Sequence, residues 1–321
     1  AVTAVNDIPT YSIGSNQSVD EDVLAQMVSN WASDISPGSS NEIDQTLTFT
    51  LSNDNDALFS SQPTVNSDGD LIYTPAADAY GSATVSIYLS DDGGTANGGV
   101  DETSTSTFTI AVTPVADTPS ITDASTLEDT QSTSGLVISR NAVDSSEVTH
   151  FKITGITNGS LYQQDGVTGI SNNAFITYAQ GSAGLRFSPD DDFNGDGSFM
   201  IQAATGASSD SLGGLSVSAT IAVTAVNDIP SYSLGANQSV DEDGGSQTVS
   251  NWATDISSGP SDESDQSLTF SLSNDNNSLF VSQPSVSSNG DLSYTPADDA
   301  HGNAIVTIYL SDDGGTANGG V

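Results

Sequence analysis

The sequence predicts an all-β chain of tandem seven-stranded antiparallel Greek-key β-sandwiches arranged end to end. Three observations carry this. Ala1 to Val100 aligns without gaps on Ala222 to Val321, with about 74 positions identical, and the stretch between reads as a distant third copy. Short runs alternate apolar and polar residues, as in Thr46–Leu51, Ala83–Leu89 and Thr105–Val112, so one side chain in two faces a core. Turn residues separate the runs, and no long stretch has helical spacing.

Two motifs set the repeat register. Ala1-Val-Thr-Ala-Val-Asn-Asp-Ile-Pro9 recurs as Ala111-Val-Thr-Pro-Val-Ala-Asp-Thr-Pro119 and as Ala222-Val-Thr-Ala-Val-Asn-Asp-Ile-Pro230. Leu71-Ile-Tyr-Thr-Pro-Ala-Ala-Asp-Ala-Tyr-Gly81 recurs from Leu185 to Gly195 and from Leu292 to Gly302, keeping leucine, aromatic, hydroxyl, proline, aspartate and glycine in step. The expected boundaries follow. Residues 1–9 are the tail of a preceding domain plus a linker. Sandwich 1 covers 10–113, a linker 114–119, and the divergent sandwich 2 covers 120–224. A second linker covers 225–230, and sandwich 3 covers 231–321 without its last strand. The chain therefore reads as a piece of a longer array, and a neighbouring strand could complete the open third sandwich. Each linker is short and ends in proline, which holds its neighbourhood extended. Within sandwich 2, Asn158-Gly159 between Ile153–Thr157 and Ser160–Tyr162 predicts a tight hairpin. Asp68-Gly69 and Asn289-Gly290 mark another turn.

Composition narrows the chemistry. The chain has 321 residues, with 42 Asp plus Glu against 3 Lys plus Arg, a formal charge of −39. All the bases (Arg140, Lys152, Arg186) fall in the middle copy. Phosphate-bearing partners need clustered cations, so neither nucleic acid nor an anionic lipid surface is expected. No apolar run approaches the ~18 residues that would insert in a bilayer. Cysteine is absent, which excludes disulfides and thiolate-bound metals. Cations remain as the natural counterpart, and hard Ca²⁺ suits carboxylate oxygen. An acidic surface also serves solubility alone.

Strand direction places the acids. In sandwich 1 the first–second and fifth–sixth turns share the C-terminal pole, so Glu21-Asp22 and Asp78 meet Asp117 of the linker there. Sandwich 2 offers its second–third loop to the same place, with Asp144 and Glu147. The second junction repeats the set: Glu128-Asp129, Asp192, the linker pair Asn227-Asp228, and Glu263 and Asp265 of sandwich 3. Ca²⁺ takes ~6–8 oxygens, which one pole, one linker and one facing loop can supply together. Turns favour Asp and Asn for backbone reasons, which accounts for Asn53–Asp56 and Asp91-Asp92. It accounts poorly for a Glu-Asp pair at a fixed distance from each linker.

These motifs carry a resemblance. The linker Val-Asn-Asp-Ile-Pro, the Glu that follows it and the acids before the third strand resemble cadherin-type repeats. The outer copies are similar to the bacterial cadherin-like or immunoglobulin-like tandem repeats of giant secreted RTX-type adhesins, exported by type I systems. The resemblance implies a calcium-rigidified extender on the bacterial cell surface, extracellular, whose partners are calcium ions and neighbouring repeats of the same chain. A glycan or cell-surface ligand would be met through other domains. Two departures stand out: Ala116 replaces the linker Asn, and Asp144-Ser-Ser-Glu147 replaces Asp-x-Asp. Fewer ions or a weaker site could follow at that junction.

Other chemistries fit less well. Asp192-Phe-Asn194-Gly-Asp196-Gly197 opens like an EF-hand loop, but its twelfth position is Ala203 and no helices flank it. His150 has no partner visible in sequence, His301 aligns with Tyr80 of the first copy, and no serine sits in a nucleophile elbow, so no enzyme is expected. Trp31 and Trp252 could be sugar platforms, although a lone strand tryptophan is more often core. The alternatives are a carbohydrate- or cell-surface-binding module and a spacer of a secreted polysaccharide-degrading enzyme.

Overall fold

The computed structural model describes residues 2–321. The first repeat contains β1 (Thr10–Ser12), β2 (Gln17–Asp20), β3 (Gln26–Val28), β4 (Ser33–Ser36), β5 (Thr48–Asn53), β6 (Phe59–Val65), β7 (Leu71–Pro75), β8 (Gly81–Ser90) and β9 (Ser106–Thr113). One sheet runs β2-β9-β8-β5 and the other β3-β7-β6, with β1 paired to β4. Alternation works as the sequence suggests. Ala83, Val85, Ile87 and Leu89 of β8 are all fully buried, while the residues between them face outward. Ala83, Val85 and Ile87 pack with Tyr73, Phe108 and Ile110 between the sheets.

One ladder departs from the antiparallel expectation. β2 runs parallel to β9, from Gln17 opposite Ile110 to Asp20 opposite Thr113. The first strand is split, so β1 pairs with β4 in a two-stranded sheet of its own while β2 joins the β9-β8-β5 sheet. Gly14 makes the crossing over Trp31 possible: a Cβ there would lie 2.4 Å from the Trp31 carbonyl oxygen. Gly235 crosses Trp252 in the same way.

The second repeat contains β10 (Ser120–Ile121), β11 (Ala124–Leu127), β12 (Ile138–Ser139), β13 (His150–Thr157), β14 (Gly159–Tyr162), β15 (Gly169–Ile170), β16 (Phe175–Thr177), the short α1 (Tyr178–Ser182), β17 (Arg186–Pro189), β18 (Gly195–Ala204) and β19 (Val217–Thr224). β11 is again parallel to β19. Asn158-Gly159 is not a hairpin turn. β13 pairs with β16 and β18, whereas β14 pairs with β15 and β17, so the dipeptide carries the chain from one sheet to the other. Asn158 adopts a left-handed φ of 60°, and Gly159 leaves room for the Phe187 ring, 2.4 Å from where a Cβ would sit.

The third repeat contains β20 (Ser231–Ser233), β21 (Gln247–Val249), β22 (Thr254–Ser257), β23 (Thr269–Asn274), β24 (Phe280–Val286), β25 (Leu292–Pro296) and β26 (Val306–Ser311). Among the described residues no strand covers the outer edge of β26. Val306 is accordingly 39% exposed where its counterpart Val85 is 0% exposed.

Candidate metal centres at the two junctions

The parallel ladder delivers the first acid. Beyond β2, the Glu21 N–H continues the pairing by donating to the Thr113 carbonyl at 3.0 Å. The Glu21 side chain therefore lies along the linker, where Oε1 accepts from the Val115 N–H at 2.8 Å. Asp22 and Asp78 both adopt left-handed φ (61° and 54°), which Asp tolerates better than most residues. Asp22 Oδ1 accepts from the Asp78 N–H at 2.9 Å and ties the two turns together. Two linker residues on, the Asp117 N–H donates to Asp144 Oδ1 of the second repeat at 2.9 Å. Carboxylate oxygens of Asp22, Asp78 and Asp117 lie within 4.8 Å of one another. Glu147 stands beside them and accepts from Ser145 Oγ at 2.8 Å.

The second junction repeats this construction. The Glu128 N–H donates to the Thr224 carbonyl at 3.0 Å, and the Val226 N–H donates to Glu128 Oε1. The Asp192 N–H donates to Asp129 Oδ1 at 3.1 Å, and both residues are again left-handed. The Asp228 N–H donates to Glu263 Oε1 at 2.8 Å. Asp129, Asp192 and Asp228 close to within 4.8 Å. Alternate linker N–H groups are thus held by one carboxylate from each flanking repeat.

The second oxygens of those carboxylates are the informative ones. Glu21, Asp144, Glu128 and Glu263 are only 5%, 2%, 4% and 5% exposed. Glu21 Oε2, Asp144 Oδ2, Glu128 Oε2 and Glu263 Oε2 are buried without a hydrogen-bond partner. Buried acceptors are almost always satisfied. An all-oxygen, acceptor-only set of carboxylates around such atoms fits a hard divalent cation.

The electrostatics agree. Burial first, then the charges of Asp22, Glu147 and Asp117, push Glu21 above its ordinary value, against the Val115 hydrogen bond. Asp117 is raised by burial and by Asp22, Asp78 and Glu147. Asp144 is raised chiefly by burial. At the second junction burial raises Glu128, helped by Asp262 and Asp228, and it raises Asp228, helped by Glu263, Asp192, Asp129 and Asp262. Glu147 goes the other way. Burial would raise it, but hydrogen bonds from its own N–H and Ser145, the nearby Tyr80 hydroxyl and the Arg140 charge hold it low.

Two expected residues stand elsewhere. Asn227 turns into its own repeat: Nδ2 donates to Asp312 Oδ1 at 3.0 Å and to the Val321 carbonyl, and Oδ1 accepts from Gln266 at 2.8 Å. Neighbours in an extended linker point in opposite directions, so Asn227 cannot share the side that Asp228 faces. Asn6 makes the same bonds to Asp91, Val100 and Gln45. Ala116 therefore replaces an inward clamp, and it is buried at 2% exposure in the second core. Asp265 is exposed and takes no part in the junction hydrogen bonds. Residues 263 and 265 would share a side only in an extended loop, and a 3₁₀ turn over Ser261–Glu263 breaks that spacing. Asp262, which sequence reasoning missed, faces the junction and accepts from Asn194 Nδ2 at 2.7 Å. Its signal was the Ser-Asp-Glu order after Pro260, a helical-turn start.

The remaining candidates have structural settings. Trp31 is 5% exposed, lies 4.3 Å from the Phe108 ring and donates to the Ser15 carbonyl. His150 Nδ1 pairs with the Thr149 hydroxyl, and His301 lies 3.8 Å from Glu242. The EF-hand reading fails on geometry, because Asp196 and Ala203 both lie within β18.

No protein-family model and no curated protein matches the chain. Among solved structures it is similar to Drosophila N-cadherin EC1-4, at 15% identity over 98% of this chain and 73% of that one, with a TM-score of 0.37. Mouse cadherin-23 EC22-24 is 17% identical over 96% of this chain and 95% of that one, with a TM-score of 0.45. The human desmocollin-1 ectodomain is 15% identical over 95% of this chain and 61% of that one, with a TM-score of 0.43. Among the described residues no helix is long and apolar enough to cross a membrane.

Proposed function

We propose that this chain is a non-catalytic, calcium-rigidified extender segment of a large bacterial cell-surface adhesin, working outside the cell to project ligand-binding domains away from it. The observation that carries the reading is the pair of buried, unpartnered carboxylate oxygens at each junction. Glu21, Asp22, Asp78, Asp117, Asp144 and Glu147 would hold ions at the first junction. Glu128, Asp129, Asp192, Asp228, Asp262 and Glu263 would hold them at the second. Bound Ca²⁺ supplies positive charge among carboxylates that otherwise repel. The protein's own part is to fix the linker: each flanking repeat grips one linker N–H, so a site that draws the carboxylates together also sets the angle between repeats. Extracellular Ca²⁺ is millimolar, a level that weak rigidifying sites can use. A sugar-binding role for Trp31 is disfavoured by its burial under Phe108.

Small-angle scattering with and without chelator tests the proposal. Chelation should change the maximum dimension while circular dichroism still reports folded sandwiches. A maximum dimension indifferent to calcium counts against it.

A further inference from the structure

The residue two places after each fifth–sixth turn aspartate reaches across the junction. Tyr80 follows Asp78, and its hydroxyl lies 3.0 Å from Ser145 Oγ of the second repeat. Asn194 follows Asp192, and its amide donates to Asp262 of the third repeat at 2.7 Å. The order of donors at the first junction is fixed. Ser145 has a single hydroxyl proton, and it goes to Glu147 Oε2 at 2.8 Å. Tyr80 must then be the donor to Ser145. On the other side, Arg140 Nη1 donates to the Ser145 carbonyl at 2.7 Å, and its guanidinium lies 3.6 Å from the centre of the Tyr178 ring. Ser145 is thus held from below by the second repeat and from above by the first.

We infer that Tyr80 is a positioning residue of the first junction: through Ser145 it holds the Glu147 carboxylate turned toward Asp22, Asp78 and Asp117. The inference rests on the calcium reading and adds a residue with no carboxylate to its machinery. A free Ser145 hydroxyl can rotate, whereas one that accepts from Tyr80 keeps its proton on Glu147. Cooperative chains of this kind act as a unit, so removing either link releases Glu147. The second junction needs no relay, because Asn194 meets Asp262 directly.

The test is calcium calorimetry on the full chain carrying Glu128→Gln and Asp228→Asn, which leaves the first junction to titrate. Tyr80→Phe should weaken calcium binding about three- to tenfold, the range of one neutral hydrogen bond, and Ser145→Ala, whose hydroxyl bonds the Glu147 carboxylate, about tenfold or more. Stoichiometry should stay unchanged, and Ser145→Thr should restore near-parental affinity. The double variant Tyr80→Phe/Ser145→Ala should lose less than the two single losses combined, because the hydrogen bond of Tyr80 runs to Ser145. Thermal unfolding in chelator checks that each variant folds. Saturable calcium heat that Tyr80→Phe leaves within twofold of the parent overturns the inference and spares the calcium reading. Additive losses in the double variant overturn it as well. No saturable heat in the parent sinks the calcium reading, and this inference with it.

Discussion

Replacing Asp192 by Asn should act in opposite directions with and without calcium. Asn keeps the shape and tolerates the left-handed φ of 56°, so the backbone is undisturbed. The change removes one of three charges whose oxygens lie within 4.8 Å. At that spacing a pair of like charges repels by about 0.9 kcal/mol in a water-like dielectric. Two of the three pairs vanish, giving about 1.8 kcal/mol at low salt. Screening over a Debye length of about 8 Å reduces this to about 1 kcal/mol at physiological ionic strength. Without calcium the docked arrangement of the second junction should gain about fivefold in population, rising to roughly twentyfold at low salt. With calcium the variant loses a ligand and binds more weakly. The native chain has no cysteine, so spin labels on introduced cysteines, one in each flanking repeat, report this junction cleanly. In chelator the distance distribution of Asp192→Asn should be narrower than that of the parent. In sub-saturating calcium it should be broader. A variant that is broader under both conditions refutes the reasoning, because the carboxylates would then not be held in mutual repulsion.

pH should separate the same two states. Glu21, Asp117, Asp144, Glu128 and Asp228 are all raised in the fold. Their contribution in chelator is therefore fully present below the ordinary carboxylate range and is lost as pH rises through the raised values. Thermal unfolding in chelator should show a falling melting temperature from about pH 4 upward, whereas calcium affinity by calorimetry should rise with pH because ligands must be deprotonated. Asn227→Ala should lower the stability of the third repeat by about 1–3 kcal/mol through the partners it leaves bare. It should leave calcium stoichiometry unchanged, read by denaturation and calorimetry together; a lost ion would show that Asn227 is a ligand after all.

The poles were legible because strand alternation needs only turn positions. Counting strands brings Asp22, Asp78 and Asp117 to one end, and the structure sets their carboxylates within 4.8 Å. Side-chain direction within the linker was less legible. Asn227 and Asp228 are adjacent in a motif, yet one clamps its own repeat and the other faces the junction. The Asn158-Gly159 signal was local and correct about φ, but which strands it joins depends on a sheet change fixed by Phe187 packing. The split first strand was hidden for a similar reason: Gly14 reveals its purpose only once Trp31 is seen beneath it. Asp262 escaped because its direction is set by a 3₁₀ turn over Ser261–Glu263 that a loop assignment alone does not specify.

The parallel pairing of β2 with β9, and of β11 with β19, bears on traction along the chain. β2 lies near the start of its repeat and β9 at the end, so a pull on both termini slides the two strands lengthwise past each other. Every bond of that ladder is loaded together, where an antiparallel hairpin opened from one end would part bond by bond. The split that Gly14 permits thus turns the terminal strands into a shear clasp against lengthwise pulling.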